Sequence, residues 1–321
     1  MRSIARLLGS TLVILAHAAA GSAWAASPAL PYGINTHLPS SALLDLVAAA
    51  GIAWIRVDFN WFMIEPARGV YDWTTTDAVV TAARARGLHI YATLAYTPEW
   101  ANGGQERNVP PTDAGDWYAF VYTTVNRYRG QVQHWGMWNE PNLAHFFAGS
   151  LKQYIDEILR VGAQAVRAAD PGGAVLGPEL AQEGDWWRWL YTVLDQAAET
   201  VDIVTQHSYQ DTGNDVLRRL GGPVAPRNWP TVRDVMRATG TAGKPLWLTE
   251  TGWNTAQVSE DAQAVFYAQI LEGINASDWL DKVFFYALVD EVGSPDRWGI
   301  LHSDLKPKPA YDTYQCFLLG C

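Results

Sequence analysis

Apolar positions along the chain fall into two alternating rhythms. Short runs rich in β-branched and aromatic residues read as strands, and longer stretches with apolar residues every three to four positions read as amphipathic helices. The pattern predicts strands at Tyr32–Asn35, Trp54–Phe59, His89–Leu94, Val132–Trp138, Ala174–Gly177, Ile203–Gln206, Leu246–Thr249 and Val283–Ala287. Helices are expected over Ser40–Ala50, Thr75–Arg86, Asp113–Tyr128, Leu151–Ala169, Trp186–Glu199, Thr231–Thr239, Ser259–Ile274 and Pro309–Phe317. Ser40 or Ser41 stands where a first helix needs its N-cap, and Gly51 and Gly87 stand just past helix ends. Strict alternation of eight strands with eight helices predicts an α/β chain folded as a single (β/α)8 TIM barrel. A doubly wound open sheet would alternate in the same way. The barrel is preferred because no glycine-rich phosphate loop follows an early strand and because polar residues gather at the strands' C-terminal ends.

The first residues break the rhythm. Two arginines in Met1–Arg6, an apolar run over Leu7–Ala20 and the small-residue site Ala23-Trp24-Ala25 describe a secretory signal peptide over residues 1–25. Gly9, Ser10 and His17 interrupt the run, and it is shorter than the roughly 20 apolar residues of a spanning helix. A secreted or periplasmic protein is expected, free of the membrane once the leader is removed. No linker or charge run divides residues 26–321, so they are read as one catalytic-sized domain.

Charge and composition narrow the function. There are 23 basic and 33 acidic residues, a formal net charge of −10, with the lysines and arginines scattered. Such a surface is repelled by phosphate backbones, so nucleic acid is not an expected partner. The sixteen tryptophans and fourteen tyrosines suit either an aromatic core or the stacking of sugar faces, and composition does not divide the two. The two cysteines, Cys316 and Cys321, have no cluster of histidines or carboxylates around them, which argues against a metal and for a small local disulfide.

Chemistry is expected where barrel strands end. Those ends carry Asn35 and His37, Arg56 and Asp58, Tyr96, Asn139 and Glu140, Pro178 and Glu179, His207 and Tyr209, Glu250, and Tyr286 with Asp290. Glu140 and Glu250 each close an apolar strand, on the fourth and seventh strands, which face each other across a barrel mouth. Two carboxyl groups so placed can flank a glycosidic bond, one giving a proton to the leaving oxygen and the other attacking the anomeric carbon.

Trp138-Asn139-Glu140-Pro141-Asn142 resembles the acid/base motif of clan A glycoside hydrolases, and Thr249-Glu250-Thr251-Gly252-Trp253 resembles the nucleophile motif of their strand seven. Within the clan the chain is most similar to glycoside hydrolase family 39, which includes β-xylosidase-like and exopolysaccharide-degrading members. The likeness runs from Gly33-Ile34-Asn35, through Arg56 and Glu65-Pro66 to Tyr71-Asp72-Trp73, to Trp298-Gly299-Ile300-Leu301 and Lys308-Pro309-Ala310-Tyr311. It implies Glu140 as general acid/base, Glu250 as nucleophile, Asn139 on the sugar 2-hydroxyl, and Arg56 beneath Glu250, keeping it charged. One of His207 and Tyr209 should orient the nucleophile; Tyr209 is preferred for that hydrogen bond and His207 for a subsite wall. His37 is a further sugar contact.

The clan's usual strand-eight tryptophan is replaced by Tyr286, with Trp298 as a substitute platform. Trp61, Trp100 and Trp253 are read first as packing, though at least one of these or Trp298 should touch sugar. Glu65, Glu183 and Glu291 are read as loop or supporting residues, and Glu179 is the next candidate should Glu250 not be the nucleophile. The expected activity is retaining cleavage of β-glycosidic bonds in an oligo- or polysaccharide by a monomer that needs no metal or organic cofactor. The chain shows no accessory β-domain, which favours endo action on an extracellular polysaccharide, a biofilm matrix or plant glycan. An exo-acting β-xylosidase-like enzyme and a catalytically silent carbohydrate-binding barrel are the alternatives.

Overall fold

A computed structural model describes residues 30–222 and 230–321; the expected signal peptide lies outside these residues. Eight parallel strands close into a barrel in sequence order: β1 Tyr32–Asn35, β2 Trp54–Asn60, β3 His89–Ala95, β4 His134–Met137, β5 Ala174–Ala181, β6 Ile203–His207, β7 Leu246–Thr251 and β8 Lys282–Phe285. β8 pairs with β1, so no edge is left open.

The helices form where the apolar spacing placed them, and their ends follow capping chemistry. Ser40 caps Ser41–Ala49 by accepting from Leu43 N–H, and Thr231 and Asp234 make a reciprocal capping box ahead of Val232–Ala238. The stretch expected as one helix over Leu151–Ala169 widens to a π-helical turn at Tyr154–Leu159. There Tyr154 Oη reaches inward and donates to the carbonyls of Met137 (3.0 Å) and Pro178 (3.3 Å), tying the helix to two strand ends. A helix over Gly213–Leu220, which the pattern did not predict, follows β6. It is only eight residues long, with Gly213, Val216 and Leu220 as its buried positions, so its apolar spacing spans too short a stretch to stand out.

Strand alternation sorts the interior into layers. On β2, Ile55, Val57 and Phe59 face the helices, whereas Trp54, Arg56 and Asp58 face the barrel axis. Trp54, Tyr91, Leu176, Ile203, Trp247 and Phe284 close the floor. Lys282 Nζ lies 4.3 Å from the Trp54 ring, and His134 stacks on Trp247 at 5.1 Å. Burial first, then the neighbouring Lys282 charge, lowers the His134 pKa to about 4. The next layer up is polar: Asn35, Arg56, Thr93, Glu179, Thr205 and Thr249 are all buried. Room for this crowding comes from missing side chains. A Cβ at Gly136 would lie 2.5 Å from Tyr91 Oη, and one at Gly33 2.5 Å from the Phe284 ring.

After β8 the chain turns at the buried pair Lys308–Asp290, 2.9 Å apart, and enters the last helix, Pro309–Leu319. Tyr311 Oη donates to Leu46 O at 2.9 Å, so the Lys308-Pro309-Ala310-Tyr311 motif docks this helix against the first one. Cys316 and Cys321 are joined as a disulfide. No helix among the described residues is long and apolar enough to cross a membrane.

Candidate active site

At the C-terminal end of the barrel lies a cavity of about 430 Å³. Its walls include Arg56, Asn139, Glu140, Glu250, Tyr209, Tyr286, Trp298 and His37, eight of the nine residues proposed from sequence. Glu140 and Glu250 enter from opposite sides, their nearest carboxylate oxygens within 4.8 Å of one another. Both carboxylates are almost wholly removed from solvent, at 7% and 8% exposure, yet both line the cavity.

Glu250 is held at both oxygens. Arg56 Nη1 donates to Oε1 at 2.6 Å and Tyr209 Oη donates to Oε2 at 2.7 Å. Burial, then the Glu250 and Glu140 charges, push the Tyr209 phenol well above its ordinary pKa, so it stays protonated and able to donate. Arg56 is fixed by Asn35 Oδ1 at 2.8 Å, and Asn35 is itself pinned by its amide to the carbonyls of Thr249 and Phe285. The other arm of Arg56 donates to Asn139 Oδ1 (2.8 Å) and Glu179 Oε2 (3.0 Å). Because Asn139 accepts through its oxygen, its NH2 group is left to donate toward the cavity.

His37 and Asp58 form a pair at the rim, Nδ1 to Oδ2 2.8 Å, with His37 edge-on to Tyr286 at 5.5 Å. The Asp58 hydrogen bond raises the His37 pKa. Tyr286, Tyr209 and Trp298 stand edge to face as one aromatic wall. Across the cavity a second wall comes from Tyr96 and from Leu143, His145 and Phe146 in the loop after β4.

Backbone strain concentrates here. Six non-glycine residues among the described ones have left-handed φ; four sit just past strand ends around the mouth, His37 (54°), Tyr96 (68°), Trp138 (74°) and Glu140 (43°), and a fifth, Glu179 (57°), lies within β5 beneath it. Each such conformation costs roughly 1–3 kcal/mol and persists only where surrounding structure enforces it, which is typical of functional sites.

Three sequence-based expectations need correction. His207 is not a subsite wall: it is fully buried, with Nδ1 2.9 Å from Glu140 Oε1 and Nε2 3.0 Å from Glu179 Oε2. Glu179 is not a reserve nucleophile, because it is fully buried beneath the cavity among Arg56, His207, Tyr91 and Thr249. Asp290 faces away, its carboxylate engaged by Lys308 and by Gly299 N–H. Glu183, read as a loop or supporting residue, is a loop residue after β5 and lines the cavity. Among the tryptophans, Trp61 packs on Trp100, Trp117 and Phe120, and Trp253 packs on Phe266 and Tyr267; only Trp298 of those named reaches the cavity. Glu65 is buried, accepting from Trp61 Nε1 and Gly69 N–H, and Glu291 is exposed.

Sequence reading missed Leu143, His145 and Phe146, whose loop carries no periodicity. A signal for Glu179 was present: Pro178 inside a strand has no N–H for the ladder and marks an irregularity. The register of β5 against β6 indeed shifts between Gly177 and Leu180, turning Glu179 inward.

Glu140, His207 and Glu250 are the one group of three metal-type ligands brought together among the described residues. Both ring nitrogens of His207 already face carboxylates, Nδ1 that of Glu140 and Nε2 that of Glu179.

Comparison with known proteins agrees with this geometry. The profile of glycosyl hydrolases family 39 matches residues 51–281. A β-xylosidase of Geobacillus stearothermophilus is 25% identical over 287 residues, covering 77% of this chain and 56% of the relative. The chain thus spans little more than half the length of that protein. An endo-1,4-β-xylanase of Agaricus bisporus is 31% identical over 317 residues, covering 87% of this chain and 88% of the relative. A family 39 glycoside hydrolase from the gut symbiont Bacteroides cellulosilyticus superimposes with a TM-score of 0.74 at 21% identity, over 90% of this chain and 63% of the other; this similarity speaks to fold alone. A barrel with paired glutamates at the ends of β4 and β7, matched by the family profile over most of its length, is a member of glycosyl hydrolases family 39.

Proposed function

We propose that the chain is a retaining glycoside hydrolase that cleaves internal β-glycosidic bonds of an extracellular polysaccharide. The observation that carries the reading is the pair of cavity-lining carboxylates within 4.8 Å, a separation suited to direct attack rather than to an interposed water. Glu250, ionised and held by Arg56 and Tyr209, attacks the anomeric carbon, while Glu140 gives its proton to the departing glycosidic oxygen. The glycosyl ester on Glu250 is then attacked by a water whose proton returns to Glu140, and Glu250 is released as carboxylate. Asn139 NH2 donates to the sugar 2-hydroxyl, a contact that tightens as positive charge grows at the ring.

Two aromatic walls support endo action. His145 and Phe146 follow β4 and Tyr286 and Trp298 follow β8, on opposite sides of the closed barrel, and all four line the cavity, which offers aromatic surface to sugars on both sides of the cleaved bond. The fungal endo-xylanase, similar over nearly its whole length, makes β-1,4-xylan the first substrate to try. The basic and apolar N-terminal stretch supports export to where such polymers occur.

Reducing-end release should be measured on xylan and a panel of bacterial and plant β-glycans, with Glu140→Gln and Glu250→Gln as controls. The expected result is early release of oligosaccharides of mixed length by the native enzyme and none by the Glu250 variant. Monosaccharide as the only early product would favour an exo-acting pocket. Binding of a glycan without turnover by the native enzyme would overturn the hydrolase reading.

A further inference from the structure

The site contains a third carboxylate that never meets substrate. Glu179 is fully buried, and every acceptor position on it is used. Oε2 takes hydrogen bonds from Arg56 Nη2 and His207 Nε2, each at 3.0 Å, and Oε1 takes them from Tyr91 Oη and from Thr249 Oγ1 at 3.3 Å. Its main chain is equally committed: Glu179 N–H donates to Thr205 Oγ1 at 3.0 Å, and Glu179 O accepts from Glu140 N–H at 2.9 Å. This one residue therefore touches the backbone of Glu140 directly, and the side chains of Glu140 and Glu250 through His207 and Arg56.

His207 is the point where these contacts meet. Its Nε2 faces Glu179, and its Nδ1 faces Glu140 Oε1 at 2.9 Å and Glu250 Oε2 at 3.4 Å. No solvent reaches the ring. With Glu140 carrying the catalytic proton, Glu179 and Glu250 supply two negative charges and Arg56 supplies one positive charge. A buried cluster is balanced only if His207 is the second cation, and burial of an unbalanced charge is costly.

We propose that Glu179 is a positioning residue that keeps His207 protonated on both nitrogens, so that Nδ1–H is donated to Glu140 Oε1 and the catalytic proton is carried by the other oxygen of Glu140. A neutral ring with a bare Nδ1 would instead accept the Glu140 proton and hold it away from the leaving group. Burial works against charge on both partners, yet the surrounding groups prevail. Arg56 and His207 hold Glu179 down at about 2, and Glu250, Glu140 and Glu179 push His207 up to about 10. Tyr91, Tyr209 and Tyr154, the buried phenols against this cluster, stay neutral because burial raises all three. The balance survives the reaction: when the ester forms, Glu250 loses its charge and Glu140, having given up its proton, gains one.

The idea rests on the hydrolase reading, and its test separates the two. Nitrogen-detected NMR of the native full chain reports the His207 ring whether or not a substrate is known. Two protonated ring nitrogens should persist through neutral pH, and a single-proton ring there would overturn the proposal even if glycans are cleaved. In Glu179→Gln, which keeps the shape and an acceptor oxygen, His207 should lose a proton near or below its ordinary value of about 6.5. The same variant should lose about 10²-fold in kcat on polysaccharide, which needs the acid, and far less on a dinitrophenyl glycoside, whose leaving group departs without a proton. Equal loss on both substrates would mean that Glu179 only supports the fold. If Glu179→Gln does not fold, the native spectrum still decides.

Discussion

At the scale of single residues, the proposed mechanism separates groups that would meet substrate from groups that fix them. In this mechanism Arg56 and Tyr209 do not react; each occupies one oxygen of Glu250 and so sets the direction of the lone pair left for attack. Removing the phenolic hydroxyl in Tyr209→Phe leaves the ring between Tyr286 and Trp298 and deletes one hydrogen bond to a charged group. Such a bond is worth about 1.5–3 kcal/mol, so kcat/KM should fall about 10- to 100-fold and the melting temperature should drop by several degrees. Steady-state kinetics beside a melting curve checks this; a variant as active as the native enzyme would remove Tyr209 from the account. The residue scale also explains why roles legible in the motif differ in their fate. Asn139 and Glu140 are adjacent in sequence and both reach the cavity, whereas His207 and Tyr209, two positions apart, point to different layers because the strand ends between them.

At the scale of elements, the ends of the strands matter more than the strands. β4 delivers Glu140 only after Trp138 and Glu140 take left-handed backbone, and β5 delivers Glu179 through the register shift at Gly177–Leu180. Gly136 on β4 has a specific task in this arrangement. The space a Cβ would fill is taken by Tyr91 Oη, which in turn donates to Glu179. Gly136→Ala should therefore displace Tyr91, cost about 1–3 kcal/mol by overpacking, and lower kcat without a matching rise in KM. Denaturant melts together with kinetics test it; unchanged stability would show that the barrel yields at this point. Helix boundaries, by contrast, were readable within a residue or two, because N-caps such as Ser40, Asp113, Thr231 and Ser259 are local chemistry. The π-turn at Tyr154–Leu159 was not readable, since its cause is a contact between Tyr154 and two distant strand ends.

For the whole molecule, the barrel has two titratable ends with opposite habits. At the floor, His134 has its pKa lowered to about 4, so the ring is neutral in the fold. Its contribution to stability is complete above the unfolded value of about 6.5 and is lost as pH falls from there toward 4. The size is at most about 3 kcal/mol, reduced by the solvent that reaches this half-buried ring. At the mouth, His207 is pushed up to about 10, so its contribution is complete below about 6.5 and is lost as pH rises toward 10. Thermal stability should therefore peak close to neutral pH. His134→Gln should flatten the acid side of the curve and leave the alkaline side in place. A native curve that keeps rising below pH 6 would contradict the floor assignment.

The amino-acid sequence alone determined the alternation of strands and helices, the parallel barrel, the pair Glu140 and Glu250, and the supporting ring at the strand ends. These follow from periodicity, capping and short motifs, all of which act over a few neighbouring residues. Tertiary structure alone decided which polar residues touch one another. His207 became a buried link between Glu140 and Glu179, Glu179 became a charge beneath the site, Asp290 turned to Lys308, and the loop bearing His145 and Phe146 became a cavity wall. The reason is that barrel closure brings together residues from β2, β4, β5, β6 and β7. Which of them end up paired depends on register shifts, left-handed strand ends and a missing Cβ, none of which leaves a periodic trace in the chain.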